Sequence, residues 1–127
     1  DRHPDHKKGS DLVSHACFLA GLPKIETGQD AWRPEVVYHY IQFDEIEPDF
    51  VVDISNYIDK KIEVVKAFSS QFYDAKSDEP ETIISSKGFL DSVRYRAANI
   101  GRLARVAYGE GFTVERLITV DTLDKLK

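Results

Sequence analysis

From Ser85 or Ser86 to about Tyr108, apolar side chains return at helical spacing. Phe89, Leu90, Val93, Ala97, Ile100, Leu103 and Ala104 fall on one stripe at about 100° per residue. A helix that long with one apolar face must bury it against another layer. Two short runs supply layer material. Val36 to Phe43 is dense in β-branched and aromatic residues, and Phe50-Val51-Val52-Asp53-Ile54 is a second strand pattern. Ser55 then caps a predicted helix from Asn56 to Ser70, with Ile58, Ile62, Val65 and Phe68 on its buried face. Gly109 and Gly111 end the long helix, and Thr113 to Val120 reads as a last strand. The order helix, strand, strand, helix, long helix, strand predicts an α/β layer over residues 1–127.

The first helix is predicted after Gly9-Ser10, with Ser10 as N-cap and Leu12, Val13, Ala16, Leu19 and Ala20 on one face. Gly21 and Pro23 stop it. On this helix His15 reads as a boundary or core histidine, with a third metal ligand as the alternative, and Cys17 reads as packing. His39 shares a strand face with Val37 and Ile41, which suggests a satisfied imidazole rather than a metal ligand. Trp32 anchors a surface loop or lines a sugar site. Asp53, at a strand's C-terminal end, is read as a partner of the adjacent helix start. Arg96 lies at the edge of the long stripe, where its head must be paired or reach water.

Composition removes several function classes. The chain carries a formal charge of −5, so no overall basic field draws nucleic acid. Lys87, Arg94, Arg102 and Arg105 do gather on one side of the long helix, but a solvated face explains them. No apolar run approaches the roughly 20 residues of a membrane span. One cysteine, Cys17, excludes an internal disulfide framework and is compatible with a reducing cytosol, so a cytoplasmic location is expected. The partner expected is a small molecule, with no nucleic acid and no membrane; a homo-oligomer is left open.

Chemistry concentrates at the start, in Asp1-Arg2-His3-Pro4-Asp5-His6. Two imidazoles stand three residues apart with a carboxylate between them. Pro4 fixes its own φ and pushes His3 toward extended backbone, so the run is predicted to be a stiff loop. Neutral imidazole binds zinc, and carboxylates serve as co-ligands or orient the ring. Spacing alone leaves a solvated tail as the alternative.

Arg2-His3-Pro4-Asp5-His6 ahead of a helix resembles the second active-site motif of the LmbE-like (PIG-L) zinc deacetylases. Phe50-Val51-Val52-Asp53-Ile54-Ser55 before a helix, Ser70-Gln71-Phe72 at that helix's end, and Ala107-Tyr108-Gly109-Glu110-Gly111-Phe112 carry the resemblance along nearly the whole chain. Their order and spacing are most similar to the branch that deacetylates N-acetylglucosaminyl-malate on the way to bacillithiol.

The resemblance implies a Rossmann-like fold, a Zn2+ cofactor and hydrolysis of an N-acetyl group. It implies His6 as a zinc ligand and His3 as the group facing the reacting carbonyl, oriented by Asp5. Arg2 is the expected fork for a substrate carboxylate. Zinc would lower the pKa of a bound water to about 7 and polarise the carbonyl. The aglycone stays open among malate, inositol and a chitooligosaccharide. Gln71 and Glu110 are expected either to touch the site or to tie down turns. Asp1 stands where some relatives have a tyrosine, so a tyrosine-assisted oxyanion is not expected from that position.

The family's earlier Ala-His-Pro-Asp-Asp motif, which supplies two ligands and the general base, is not in this sequence. The chain also contains no Met. It is therefore expected to be the C-terminal portion of a longer domain. Its sheet should be incomplete without the missing N-terminal strands, exposing apolar surface or a strand edge. Alone it should be inactive, and a noncatalytic assembly piece is the reading from another class.

Overall fold

The computed structural model describes residues 3–72, 80 and 82–126 of the chain. The elements run α1 (Pro4–Ala20), β1 (Tyr38–Tyr40), β2 (Phe50–Asp53), α2 (Ile58–Lys66), α3 (Lys87–Ala104) and β3 (Gly109–Val114), with a 3-10 turn at Leu123–Lys125. The fold is α/β, with three strands in the order β1-β3-β2. Two compact units divide the chain, one of residues 1–49 and 112–127, the other of residues 50–111.

In the first unit, β1 lies antiparallel to β3, pairing Tyr38 with Val114, His39 with Thr113 and Tyr40 with Phe112. Asp49 closes the end of this ribbon: its amide donates to the Phe112 carbonyl at 2.8 Å and its carboxylate accepts from the Val114 amide at 2.8 Å. The helix α1 has no buried residue. Leu12 is 69 % exposed, Val13 54 % and Leu19 47 %, so the predicted apolar face is present but uncovered. Arg33 donates to the Phe18 carbonyl at the helix's C-terminal end and lies over the Phe18 ring.

The second unit holds the core. Ile54, Ile58 and Ala97 pack together with Tyr108 against them, and Leu90 and Val93 are the other buried apolar side chains among the described residues. The Ile54 amide donates to the Tyr108 carbonyl at 3.0 Å. Since Asp49 bonds to Phe112 and Ile54 to Tyr108, partner numbers fall as the chain advances, as antiparallel pairing requires. Ser86 caps α3 as predicted, accepting from the Phe89 amide at 3.1 Å. Arg105, in the left-handed region at φ 60°, ends that helix. At Gly101 a Cβ would stand 2.8 Å from the Tyr108 Cα and the Val106 carbonyl oxygen. A side chain there would push the returning chain off the helix.

Several expectations are corrected. The opening motif is not a loop: α1 begins at Pro4, and His3, extended at φ −109° and ψ 134°, is its cap. The same proline that bars helix at His3 is pre-set for the first helical turn, where its missing N–H costs nothing. Ser10 is therefore inside α1, and Gly9 is carried within the helix. The 36–43 run pairs only over Tyr38–Tyr40, and the 56–70 helix shrinks to Ile58–Lys66 without a side-chain cap. The last strand lies earlier than 113–120, and it takes in Gly109 and Gly111 instead of being preceded by them. Phe68 and Leu103, expected in the core, are 55 % and 67 % exposed.

Candidate functional site

The first turn of α1 gathers three of the predicted site residues. The His3 Nδ1 accepts from the Asp5 amide at 3.2 Å, satisfying one of the helix's orphan donors. An accepting Nδ1 places the ring proton on Nε2. The Asp5 carboxylate lies 3.6 Å from the same nitrogen, ready to pair with it if the ring gains a proton. The His6 amide donates to the His3 carbonyl at 3.0 Å, and the two ring centroids lie 5.9 Å apart. Arg2, the predicted substrate fork, lies outside the described residues.

An open groove of about 800 Å³ in the same unit is lined by Asp5, His6 and Ser10 of α1 and by Tyr38, His39 and Tyr40 of β1. His3 is at the turn beside it and is not part of the lining. Tyr38 is 51 % and Tyr40 65 % exposed. Aromatic faces, hydroxyls, an imidazole and a carboxylate thus meet in this lining.

Sequence reasoning reached His39 but missed what holds it. Its Nε2 meets the Glu115 carboxylate at 2.9 Å and its Nδ1 meets the Ser10 hydroxyl at 3.1 Å. Ser14 donates to the same Glu115 oxygen at 2.5 Å. The Ser14 hydroxyl first, and His39 second, hold the Glu115 carboxyl below its ordinary range. Ser14 and Glu115 are 101 residues apart, and no local pattern in the sequence could pair them.

The remaining motif residues belong to the second unit. The Asp53 carboxylate accepts from the Ser55 amide at 3.0 Å and its hydroxyl at 2.6 Å, holding the turn before α2 rather than the helix start expected of it, since α2 begins only at Ile58. Glu110 pairs with Lys61, and the Gln71 backbone N–H donates to the Phe68 carbonyl at 2.9 Å. On the basic side of α3, two of the four cations have carboxylate partners and a third bonds a neutral amide. Arg94 bonds Asp59 at 2.5 Å, Lys87 is 4.0 Å from Asp91, and Arg102 donates to the Asn99 side chain at 3.2 Å. His15 is exposed on α1 and Trp32 is 69 % exposed.

Among the described residues no group of three or more His, Cys, Asp or Glu side chains could hold a metal ion. His6 and its neighbours fit at most part of a zinc coordination set, which needs three protein ligands at a catalytic site. These residues do not by themselves make a zinc centre. No helix among them is long and apolar enough to cross a membrane.

The fold defines a class: an α/β unit shared with larger proteins. No family model matches the chain. The conserved protein TT1542 of Thermus thermophilus superposes with a TM-score of 0.78 at 29% identity, covering 94% of this chain and 50% of that one. GalB, the 4-carboxy-2-hydroxymuconate hydratase of Pseudomonas putida KT2440, superposes with a TM-score of 0.67 at 18% identity, covering 96% of this chain and 50% of its own. This chain thus spans about half the length of each of these structures.

Proposed function

We propose that the chain is the C-terminal portion of a Rossmann-like, LmbE-type N-deacetylase acting on an N-acetylglucosaminyl conjugate, with N-acetylglucosaminyl-malate as the preferred substrate. The observation that carries this reading is the first turn of α1, which brings Asp5 and His6 to a groove flanked by Tyr38 and Tyr40. The uncovered apolar face of α1 and the half-length match to TT1542 support the larger domain. Zinc, when bound, would supply the activated water and a Lewis acid for amide hydrolysis. His6 is the ligand this segment contributes, and further ligands would come from the other half. His3, oriented by Asp5, stands beside the groove to hold or pass a proton. Arg2 would meet the aglycone carboxylate.

The test is made on the longer chain that contains this segment. Acetate release from N-acetylglucosaminyl-malate, N-acetylglucosaminyl-inositol and chitobiose should be measured beside hydration of 4-carboxy-2-hydroxymuconate. Acetate release that His6→Ala abolishes, with zinc content falling alongside, supports the reading. His3→Ala should cut turnover and leave zinc in place. Hydration without acetate release would replace deacetylation with the chemistry of the hydratase.

A further inference from the structure

We propose that Ser10, Ser14, His39 and Glu115 form a rotational lock on α1 that aims the His6 side of the helix into the groove, which makes His39 a positioning residue. His6, Ser10 and Ser14 are four residues apart in turn, so successive members drift only ~40° around the helix axis. All three line the same groove. Two of them are tied to the strand ribbon one helical turn apart: Ser10 to His39 on β1, and Ser14 to Glu115 just after β3. One tether would leave the helix free to roll about its axis. Two tethers separated by ~6 Å along the axis fix both roll and tilt.

The hydrogen-bond directions follow from chemistry. An ionised Glu115 only accepts, so the Nε2 of His39 carries the proton that faces it. In the neutral ring Nδ1 is then an acceptor, and the Ser10 hydroxyl donates to it. Each partner thereby orients the next, from Glu115 through the ring to the helix. Burial contributes little here, because α1 has no buried residue and only Ser14 and Cys17 are half-buried. Two polar bonds reach α1's groove-facing side from the strand ribbon.

The inference rests on the proposed function only for the importance of His6; the lock itself is read without any activity. Imidazole 1H–15N spectra of the chain should show His39 as the Nε2–H tautomer. Ser10→Ala with Ser14→Ala should shift and broaden the His6 ring signals, while the methyls of Ile58 and Ala97 stay in place. Alanine is the strongest helix former, so loss of α1 is not the expected cause. His39→Ala should reproduce the shift. His39→Gln, whose amide accepts from one side and donates to the other, should largely reverse it. His6 signals that superimpose in the wild type and all variants would overturn the lock. In the longer chain, His39→Ala should lower kcat at least about tenfold with a smaller change in KM, since small misplacements at a reacting centre carry large rate losses. A wild type with no deacetylase activity removes the proposed function and leaves the spectra to decide the lock.

Discussion

Gly109 and Val51 approach so closely that a Cβ on the glycine would stand 2.6 Å from the Val51 Cγ1. The Ile100 Cγ2 would be 3.1 Å away on the other side. Gly109→Ala must therefore push β2 and α3 off β3. Overpacking of this kind typically costs about 1–3 kcal/mol. Urea unfolding should show that loss, and Val51→Ala in the same chain should recover part of it. An unchanged midpoint for Gly109→Ala would mean that the two strands sit further apart.

The core is confined to one unit, so equivalent truncations should differ by position. Ile58 is 5 % exposed, and Ile58→Ala should cost about 2–5 kcal/mol by the usual cavity and transfer terms. Leu12 is 69 % exposed, and surface changes of that kind usually stay within about 0.5 kcal/mol. Chemical denaturation of the two variants checks the contrast. A large loss at Leu12 would show that something covers α1 in solution.

Ser86 supplies the α3 cap through its bond to the Phe89 amide. Ser86→Ala should destabilise by about 1 kcal/mol, and Ser86→Asp should keep most of the stability. Thermal melts of the two variants separate a capping role from a mere turn residue.

Glu115 gives a pH signature with a definite sign. Its folded carboxyl is held below the ordinary 4.5 by Ser14 and His39. It therefore adds stability at pH values above the unfolded pKa, and this is lost as pH falls through the lower folded value. The stability gap between wild type and Glu115→Gln should be open at pH 7 and should close below about pH 4.5, down through the folded value. Ser14→Ala, which removes the largest cause, should move the closing point upward. A gap that stays constant with pH would mean that the carboxylate is not held by these partners. Because Glu115 is 43% exposed at the side chain, the whole effect should shrink in high salt.

Substrate choice is tested at Arg2. A guanidinium paired with an aglycone carboxylate in a desolvated site is worth about 2–5 kcal/mol when one partner is lost. In the longer chain, Arg2→Ala should penalise N-acetylglucosaminyl-malate far more than N-acetylglucosamine in kcat/KM. Arg2→Lys should rescue only in part, because an ammonium lacks the planar fork. Equal losses on both substrates would assign Arg2 to the shared chemistry.

What the sequence disclosed follows the range of the forces involved. The Ser86 cap and the Leu90, Val93 and Ala97 stripe were legible because both are set within a few residues of helix. The Asp53–Ser55 contact was legible for the same reason, although α2 starts only after the turn it holds. Pro4 misled, because its backward effect on His3 and its forward compatibility with a helix point to opposite structures. The boundaries of β1 and β3 were not legible, since pairing depends on a partner some 75 residues distant and not on local β preference. The Ser14–Glu115 bond belongs with these, and with it the part of the site that holds α1 in place.

The lack of any buried residue in α1 has a thermodynamic consequence for anything that binds the groove. In proteins most helical stability comes from packing an apolar face against the rest of the fold rather than from propensity. The 17 residues of α1 therefore depend on their caps and on the polar bonds to His39 and Glu115. If the helix is formed for only a fraction of the time, the apparent dissociation constant of a groove ligand rises by the inverse of that fraction. Whatever comes to cover Leu12 and Leu19 would then raise affinity at His6 without touching the ligand, by keeping the helix formed.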